Sequence, residues 1–184
     1  MNLSSVKALP FQDHLEICNA DLSDANSIDK AIEGCDYVMH VADPVIMERD
    51  EKEIVELAVK GATAVMNSAI KHKIKAVIMT SGITTVINYE AKDKVLNKED
   101  WPDISKLQPY YIKAKSLSER IAWEIYNVAE VRPRLVVIIP AYILGPTILK
   151  MPFFSGNAIM SALNGTLKDT LKLYYGRSDV GMYL

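Results

Sequence analysis

Apolar residues in this chain form short runs, separated by longer stretches in which they recur every three or four positions. The runs predict strands and the recurrences predict amphipathic helices, because residues at that spacing share one helix face. Strands are expected at 15–22, 37–42, 75–80 and 134–139. Helices are expected at 25–32, 50–71 and 109–129. Alternating strands and helices predict an α/β fold, a parallel sheet with helices on both faces.

Residues at the ends of these elements are of the types that begin and end helices. Ser23 or Asp24 is expected to cap the helix at 25–32, and Gly34 suits a left-handed turn after it. The run 37–42 is continuously apolar apart from His40, which is typical of a strand covered on both faces.

Composition narrows the classes of partner. The 184 residues carry 21 basic and 23 acidic side chains, a net charge of −2, so no global field favours nucleic acid or an anionic membrane. Cys18 and Cys35 lack the spacing of a metal site and are expected to be buried thiols. The segment 1–10 does not resemble a signal peptide, and no apolar run approaches the length of a membrane span. We therefore expect a cytoplasmic protein without a metal site.

One pair of residues near the start of the last predicted helix suggests acid–base chemistry. Tyr111 and Lys115 are four positions apart, so a helix places both on one face. A phenol has an ordinary pKa of about 10, and a fixed ammonium beside it favours the phenolate and lowers that pKa. The pair is therefore a candidate for proton transfer near neutral pH.

The pair also lies within a series of motifs. The segment 111–123 is similar to the YxxxK helix of extended short-chain dehydrogenases/reductases. The residues that carry this similarity are Tyr111, Lys115, Ser118, Glu119, Ala122 and Trp123. The branch that the chain resembles contains dihydroflavonol and cinnamoyl-CoA reductases. Further similar stretches are ADLSD at 20–24, GCDYVMHVADP at 34–44, VIMTS at 77–81 and PAYILGP at 140–146. The resemblance implies a Rossmann-like, doubly wound parallel sheet and NADP, or NAD, as cofactor.

The resemblance also implies roles for single residues. Tyr111 would be the general acid, and Lys115 would bind the nicotinamide ribose and tune Tyr111. The other implied cofactor-binding positions are Asp21 and Leu22 beside the adenine, Val41, Ala42, Pro44 and Thr80 at strand ends, and Pro140 and Ile143 beside the nicotinamide. Asp21 is equally well explained as a loop or capping carboxylate, and His40 as a core histidine rather than a base.

The sequence departs from the family pattern in three places. No GxxGxxG turn is present, so the Rossmann-like domain is expected to be truncated at its N-terminus. Family members usually carry the catalytic serine as the second of a Ser-Ser pair, where this chain has Ser81 and Gly82. Ser81 and Thr84 are the candidates for a substitute hydroxyl. The irregular C-terminal part is short for a substrate lobe.

We therefore expect a partial dinucleotide-binding domain at 1–147 and a partial substrate-lobe segment at 148–184. The expected function is NAD(P)-dependent reduction of a small ketone or aldehyde to an alcohol. One alternative is a catalytically impaired Rossmann-like remnant that acts as a binding or interaction module. Another is a sugar-nucleotide epimerase or dehydratase, or a hydroxysteroid dehydrogenase, on the same scaffold.

Overall fold

The computed structural model describes residues 12–44, 50–86, 95–97, 99–106, 110–141, 143, 160–161 and 163–165. These residues belong to two compact units. Among the described residues, one unit comprises Cys18–Pro140, and the other comprises those before Cys18 and those after Pro140. The described part of the second unit holds a short 3-10 turn at Gln12–His14 and helical residues at 160–161 and 163. The domain boundary expected at 147 lies outside the described residues and stays a prediction.

A three-stranded parallel sheet forms the centre of the unit Cys18–Pro140. Its strands are β1 (Tyr37–His40), β2 (Ala76–Thr80) and β3 (Arg134–Ile138), in the spatial order β1-β2-β3. Tyr37 pairs with Ala76, and Ala76 pairs with Arg134, so the strands begin level with one another. Because they are parallel, their carboxyl ends meet at one edge of the sheet, where ligands bind in folds of this kind.

Three helices accompany the sheet, one before β1 and one in each connection between strands, and their bounds agree with the prediction to within a residue. They are α1 (Ala25–Ile32), α2 (Glu51–Lys71) and α3 (Tyr110–Val128). Asp24, rather than Ser23, caps α1, because its carboxylate accepts a hydrogen bond from the Asn26 N–H. Gly34 follows α1 with a φ of 81°, the left-handed conformation expected of it. None of the described helices is both long and apolar enough to cross a bilayer.

The hydrophobic core lies where these helices meet one side of the sheet. Helix α1 packs on α2, and α2 packs on α3. Val77 and Met79, on one face of β2, are buried together with Met66 of α2 and Ala122 of α3. The alternation along β2 places its other side chains, such as Ile78, on the opposite face, where they are half-buried.

Three expectations are wrong in the described residues. Residues 15–22 form no strand, because no described strand supplies the backbone partner that a strand requires. Strand β1 is not covered on both faces, since Tyr37 and Met39 are exposed while the residues between and after them are half-buried. Cys18 and Cys35 are exposed free thiols, because both lie in irregular segments outside the core.

Candidate active site

The segments that follow β1, β2 and β3 lie at one edge of the sheet, and helix α3 reaches this edge. Ser81 N–H donates to the Ile138 carbonyl at 2.9 Å, which extends the pairing of β2 with β3 one residue beyond the end of β2. Ile83 N–H donates to the Pro140 carbonyl, also at 2.9 Å. These bonds fix the 3-10 turn at Ile83–Thr85, which packs against α3.

Lys115 on α3 links the ends of two strands. Its side chain is only 7% exposed, and its Nζ donates to the Thr80 carbonyl oxygen at 2.9 Å. The same Nζ lies 2.8 Å from Oδ2 of Asp43, whose side chain is 13% exposed. The ammonium is therefore compensated by a carboxylate from the segment after β1 and oriented by a backbone carbonyl at the end of β2.

Tyr111 lies one helical turn before Lys115 and is 42% exposed. Burial of the ring raises the pKa of Tyr111 above its ordinary value of 10.0, and the negative charge of Asp43 raises it further. The expectation that Lys115 lowers this pKa is therefore wrong for the protein as described. The physical reason is that Lys115 pairs with Asp43, so its positive charge is compensated where Tyr111 lies.

His40, the last residue of β1, lies near the same ion pair. Burial lowers the pKa of His40 below its ordinary 6.5, and the positive charge of Lys115 lowers it further, while Asp43 partly opposes both. The imidazole is therefore neutral at neutral pH. The half-buried position and the lowered pKa, which makes the imidazole a weaker base, favour the core histidine over the base.

A buried carboxylate accepts hydrogen bonds from the hydroxyls of Ser81 and Thr85. Ser81 Oγ donates to Oε2 of Glu119 on α3, and Glu119 is 4% exposed. Thr85 Oγ1 lies 3.1 Å from the same oxygen and 2.9 Å from the Gly82 carbonyl oxygen. The Ser81 side chain thus faces α3 in the protein interior, and its hydroxyl already donates to the Glu119 carboxylate.

Gly82 and Thr84 lie side by side in the same segment. Gly82 has an extended backbone, with φ −165° and ψ 154°, a conformation open to any residue. A Cβ atom at position 82 would lie 3.7 Å from Oγ1 of Thr84, an ordinary van der Waals contact. Thr84 is half-buried, and its hydroxyl has no hydrogen-bond partner within the described part of the chain.

Other expected cofactor-binding residues have various surroundings. Asp21 Oδ1 accepts from the N–H and hydroxyl of Ser23, at 2.8 and 2.6 Å, so this carboxylate shapes the loop before α1. Leu22 packs against the core, in contact with Gly61 of α2. Val41 and Ala42 are exposed and Pro44 is buried, on either side of Asp43. Ile143 is 67% exposed and belongs to the other compact unit.

Sequence reasoning missed two carboxylates of this site. Asp43 stands in the segment after a buried-looking strand, the place where ligand-binding side chains collect in parallel sheets. Glu119 lies four residues after Lys115, so it continues the helix face that Tyr111 and Lys115 begin. The position of each was a usable signal, although the partners of both residues lie far away along the chain.

Comparisons with known proteins agree on a family. A sequence model of the 3-beta hydroxysteroid dehydrogenase/isomerase family matches residues 3–161. Anthocyanidin reductase from Arabidopsis thaliana is 35% identical over 162 residues, covering 82% of this chain and 47% of the relative. Cinnamoyl-CoA reductase 1 from the same plant is 33% identical over 174 residues, covering 92% of this chain and 49% of the relative. The chain spans about half the length of these curated relatives.

A solved structure extends this likeness to the fold. Vestitone reductase from alfalfa, Medicago sativa, matches with a TM-score of 0.74 at 25% identity, covering 88% of this chain and 52% of that structure. The Rossmann-like α/β fold predicted from the sequence is thereby confirmed.

Proposed function

Because the chain belongs to the 3-beta hydroxysteroid dehydrogenase/isomerase family, we propose that it is an NADP-dependent reductase that converts a ketone or aldehyde to an alcohol. The observation that carries this proposal is the grouping of Tyr111, Lys115 and Asp43 at the carboxyl ends of parallel strands. The relatives named above as reductases support it. NAD is the alternative cofactor, and a small carbonyl compound is the proposed substrate.

The residues at this edge fit the ribose of a dinucleotide. Asp43 Oδ2 is buried and accepts no hydrogen bond of good geometry, although it lies in the ion pair with Lys115. A buried acceptor in this state favours a donor such as a ribose hydroxyl. Lys115 and Asp43 would therefore hold the cofactor ribose, with Thr80, Val41, Ala42 and Pro44 as nearby strand-end residues. Reduced nicotinamide, when bound, supplies the hydride.

In this proposal, Tyr111 donates the proton that the carbonyl oxygen requires. Its raised pKa keeps the phenol protonated at neutral pH, which is the form a general acid needs. After transfer the phenolate carries a negative charge one helical turn from the Lys115 ammonium, which offsets part of that charge. The arrangement thus favours reduction over the reverse oxidation near neutral pH.

The test uses the full chain, NADPH fluorescence and a panel of aromatic, α,β-unsaturated and cyclic carbonyl compounds. Tyr111→Phe should lower kcat by about 100- to 10,000-fold, the usual contribution of a positioned acid, and leave the NADPH dissociation constant largely unchanged. Tyr110→Phe is the matched control, because Tyr110 has Ala114 rather than a lysine four residues later. Equal activity of the two variants would contradict the assignment of Tyr111.

A second candidate function is a binding or interaction module without catalysis. Gly82 lacks a hydroxyl, and Ser81 directs its hydroxyl to Glu119, so the usual serine donor has no direct replacement. The same fluorescence titration separates the two functions. No NADPH binding at millimolar concentration would remove the reductase proposal and leave the module.

A further inference from the structure

A groove of about 520 Å³ runs between α1 and α2, and none of the residues proposed for catalysis lines it. Leu22, before α1, contacts Gly61 of α2, and Asp29 of α1 pairs with Lys71 at 2.6 Å. The two helices therefore lie side by side and run in the same direction. Helix α2 lines the groove from residue 59 to residue 71, a rise of roughly 16 to 18 Å, so the groove is elongated.

The charges along the groove leave one cation without a partner. At one end, Asp29 accepts a hydrogen bond from Lys71 at 2.6 Å, and its other oxygen lies 2.9 Å from Nε2 of His72. The hydrogen bond from Lys71 lowers the pKa of Asp29, so the carboxylate is ionised at neutral pH and offsets the lysine charge. Lys60 lines the groove toward the other end and forms no ion pair within the described residues. This end of the groove thus attracts an anionic group.

Carboxamide side chains stand on both walls of the groove. Asn26 belongs to α1 and Asn67 to α2, and neither carboxamide has a hydrogen-bond partner in the part of the chain that the structure describes. A carboxamide offers two donors and one acceptor, so it can pair with both the N–H and the C=O of a peptide backbone. Val59 and Ala64 add apolar surface that suits an aliphatic side chain.

Ser68 is an independent sign of a polar ligand in this groove. It lines the groove and is only 5% exposed, and no described group forms a hydrogen bond with its hydroxyl. Thr63, which also lines the groove, instead donates to the Val59 carbonyl of its own helix at 2.8 Å. A buried hydroxyl without a partner is unfavourable, and a ligand that offers an acceptor would remove this penalty.

We propose that the groove binds a short extended segment of a partner protein that carries one acidic side chain. At about 3.3 Å per residue, about five extended residues match its length. The acidic side chain pairs with Lys60, and the backbone of the segment pairs with Asn26 and Asn67. The Ser68 hydroxyl donates to a backbone carbonyl oxygen of the segment. This inference does not depend on the proposed reductase function.

The test is an NMR titration of the isotope-labelled full chain with two pentapeptides, Glu-Ala-Leu-Ala-Ala and Ala-Ala-Leu-Ala-Glu, blocked at both ends. Their glutamine counterparts are the control peptides. At least one glutamate peptide should shift the amide signals of α1 and of residues 59–71. Its glutamine counterpart should bind about 2- to 5-fold more weakly, the usual effect of losing one exposed ion pair.

Two variants test the polar contacts of the segment. Lys60→Glu should reverse the charge preference, so that a peptide with lysine in place of glutamate binds more tightly than the glutamate peptide. Lys52→Glu is the matched control, because Lys52 is an exposed lysine of the same helix outside the groove. Asn67→Ala removes a donor and an acceptor and should weaken binding by about tenfold.

Ser68→Ala separates a ligand contact from a structural role. Because the hydroxyl has no partner within the described residues, the unfolding midpoint should stay unchanged or rise, whereas peptide affinity should fall about 2- to 10-fold. Ser116→Ala is the matched control, because Ser116 of α3 is also buried with an unpartnered hydroxyl but does not line the groove. It should leave the peptide affinity unchanged.

Several outcomes would overturn the proposal. Glutarate, which carries carboxylates but no peptide units, might displace the peptide at equal concentration, and the groove would then be a site for small anions. Displacement by NADPH would assign the groove to the cofactor. The absence of amide shifts at about 5 mM peptide would exclude even weak binding. Equal affinities of wild type, Lys60→Glu and Ser68→Ala would place the peptide elsewhere. The test of Tyr111 is independent of all four outcomes.

Discussion

Asp43, just after β1, and Lys115, on α3, form a buried ion pair with 2.8 Å between Oδ2 and Nζ. The pair joins two segments that are distant along the chain. It places a carboxylate beside the lysine that lies one helical turn from Tyr111. A tyrosine and a lysine four residues apart would form a simple phenol–ammonium pair if no third charge were present. Here burial of the ring raises the pKa of Tyr111 and the Asp43 carboxylate raises it further, so Tyr111 is a protonated acid at neutral pH.

Replacing Asp43 should therefore change the titration of Tyr111. Asp43→Asn removes one of the two causes that raise the pKa of Tyr111, so this pKa should fall. Ultraviolet titration of tyrosinate, with Tyr111→Phe as the reference, measures it. If the variant is active, alcohol oxidation should extend to lower pH, because the phenolate forms there. Asp36→Asn, at an exposed carboxylate that pairs with Lys75, is the control and should leave Tyr111 unchanged.

The same ion pair should contribute strongly to folding when one partner is removed. Asp43→Ala leaves Lys115 buried without a counter-charge and should lower the free energy of unfolding by about 3–5 kcal/mol. The double variant Asp43→Ala/Lys115→Met should cost less than the sum of the two single variants. Urea denaturation of the four proteins gives the coupling. A cost below about 1 kcal/mol for Asp43→Ala would mean that the pair behaves like an exposed one.

His40 should make stability depend on pH. Its pKa in the folded protein is lowered below 6.5, whereas the unfolded chain titrates near 6.5. As pH falls below 6.5, the unfolded state therefore binds more protons, and stability is lost until the pH passes the folded pKa. Stability above pH 6.5 should be unaffected by this residue.

Urea denaturation of wild type and His40→Gln from neutral pH downward measures this contribution. The wild-type protein should lose more stability than the variant over this range. His14→Gln, at an exposed histidine of the other compact unit, is the control and should follow the wild-type curve. Parallel curves for wild type and His40→Gln would rule out a lowered pKa.

Glu119 should stabilise the turn that carries Thr84. Glu119→Ala removes the carboxylate to which the buried Ser81 hydroxyl donates, which should cost about 1–3 kcal/mol. The Thr85 hydroxyl keeps the Gly82 carbonyl oxygen as an acceptor and should add little to this cost. Glu119→Gln keeps one acceptor oxygen and should cost less. Glu124→Ala, at an exposed glutamate of the same helix, is the control. Equal unfolding midpoints for Glu119→Ala and Glu124→Ala would contradict the role of Glu119.

The elements that the sequence predicts well are those decided by local spacing. Helix α3 was expected at 109–129 and spans Tyr110–Val128, because its apolar spacing is a property of the segment itself. Residues 15–22 were expected to form a strand and do not, since a strand depends on a partner elsewhere in the chain. The prediction that β1 is covered on both faces is wrong for the same reason, because the cover of a strand also comes from segments elsewhere in the chain.

The site divides in the same way. The spacing of Tyr111 and Lys115 was visible in the sequence, and the helix places both as expected. The direction of the Tyr111 pKa was not, because it depends first on burial of the ring and then on Asp43, and the fold sets both. The commitment of Ser81 to Glu119 is likewise a contact between distant segments. The local pattern thus predicts which residues share a helix face. The fold decides which charges and hydrogen-bond partners lie beside them.

Gly61 on α2 offers a test of the packing assigned to Leu22. A Cβ atom at position 61 would lie 2.7 Å from Leu22 Cδ2, closer than atoms approach, so Gly61→Ala should force Leu22 to move. Alanine favours a helix over glycine by about 1 kcal/mol, but overpacking typically costs about 1–3 kcal/mol. The single variant should therefore be no more stable than wild type. In the background of Leu22→Ala the contacts with Cδ2 and Cγ are absent, and the remaining contact with the Cβ of residue 22, at 3.2 Å, needs a shift of only a few tenths of an ångström, so Gly61→Ala should become stabilising. Urea denaturation of the four proteins measures this reversal of sign, and a stabilising effect of equal size in both backgrounds would show that Leu22 does not pack there.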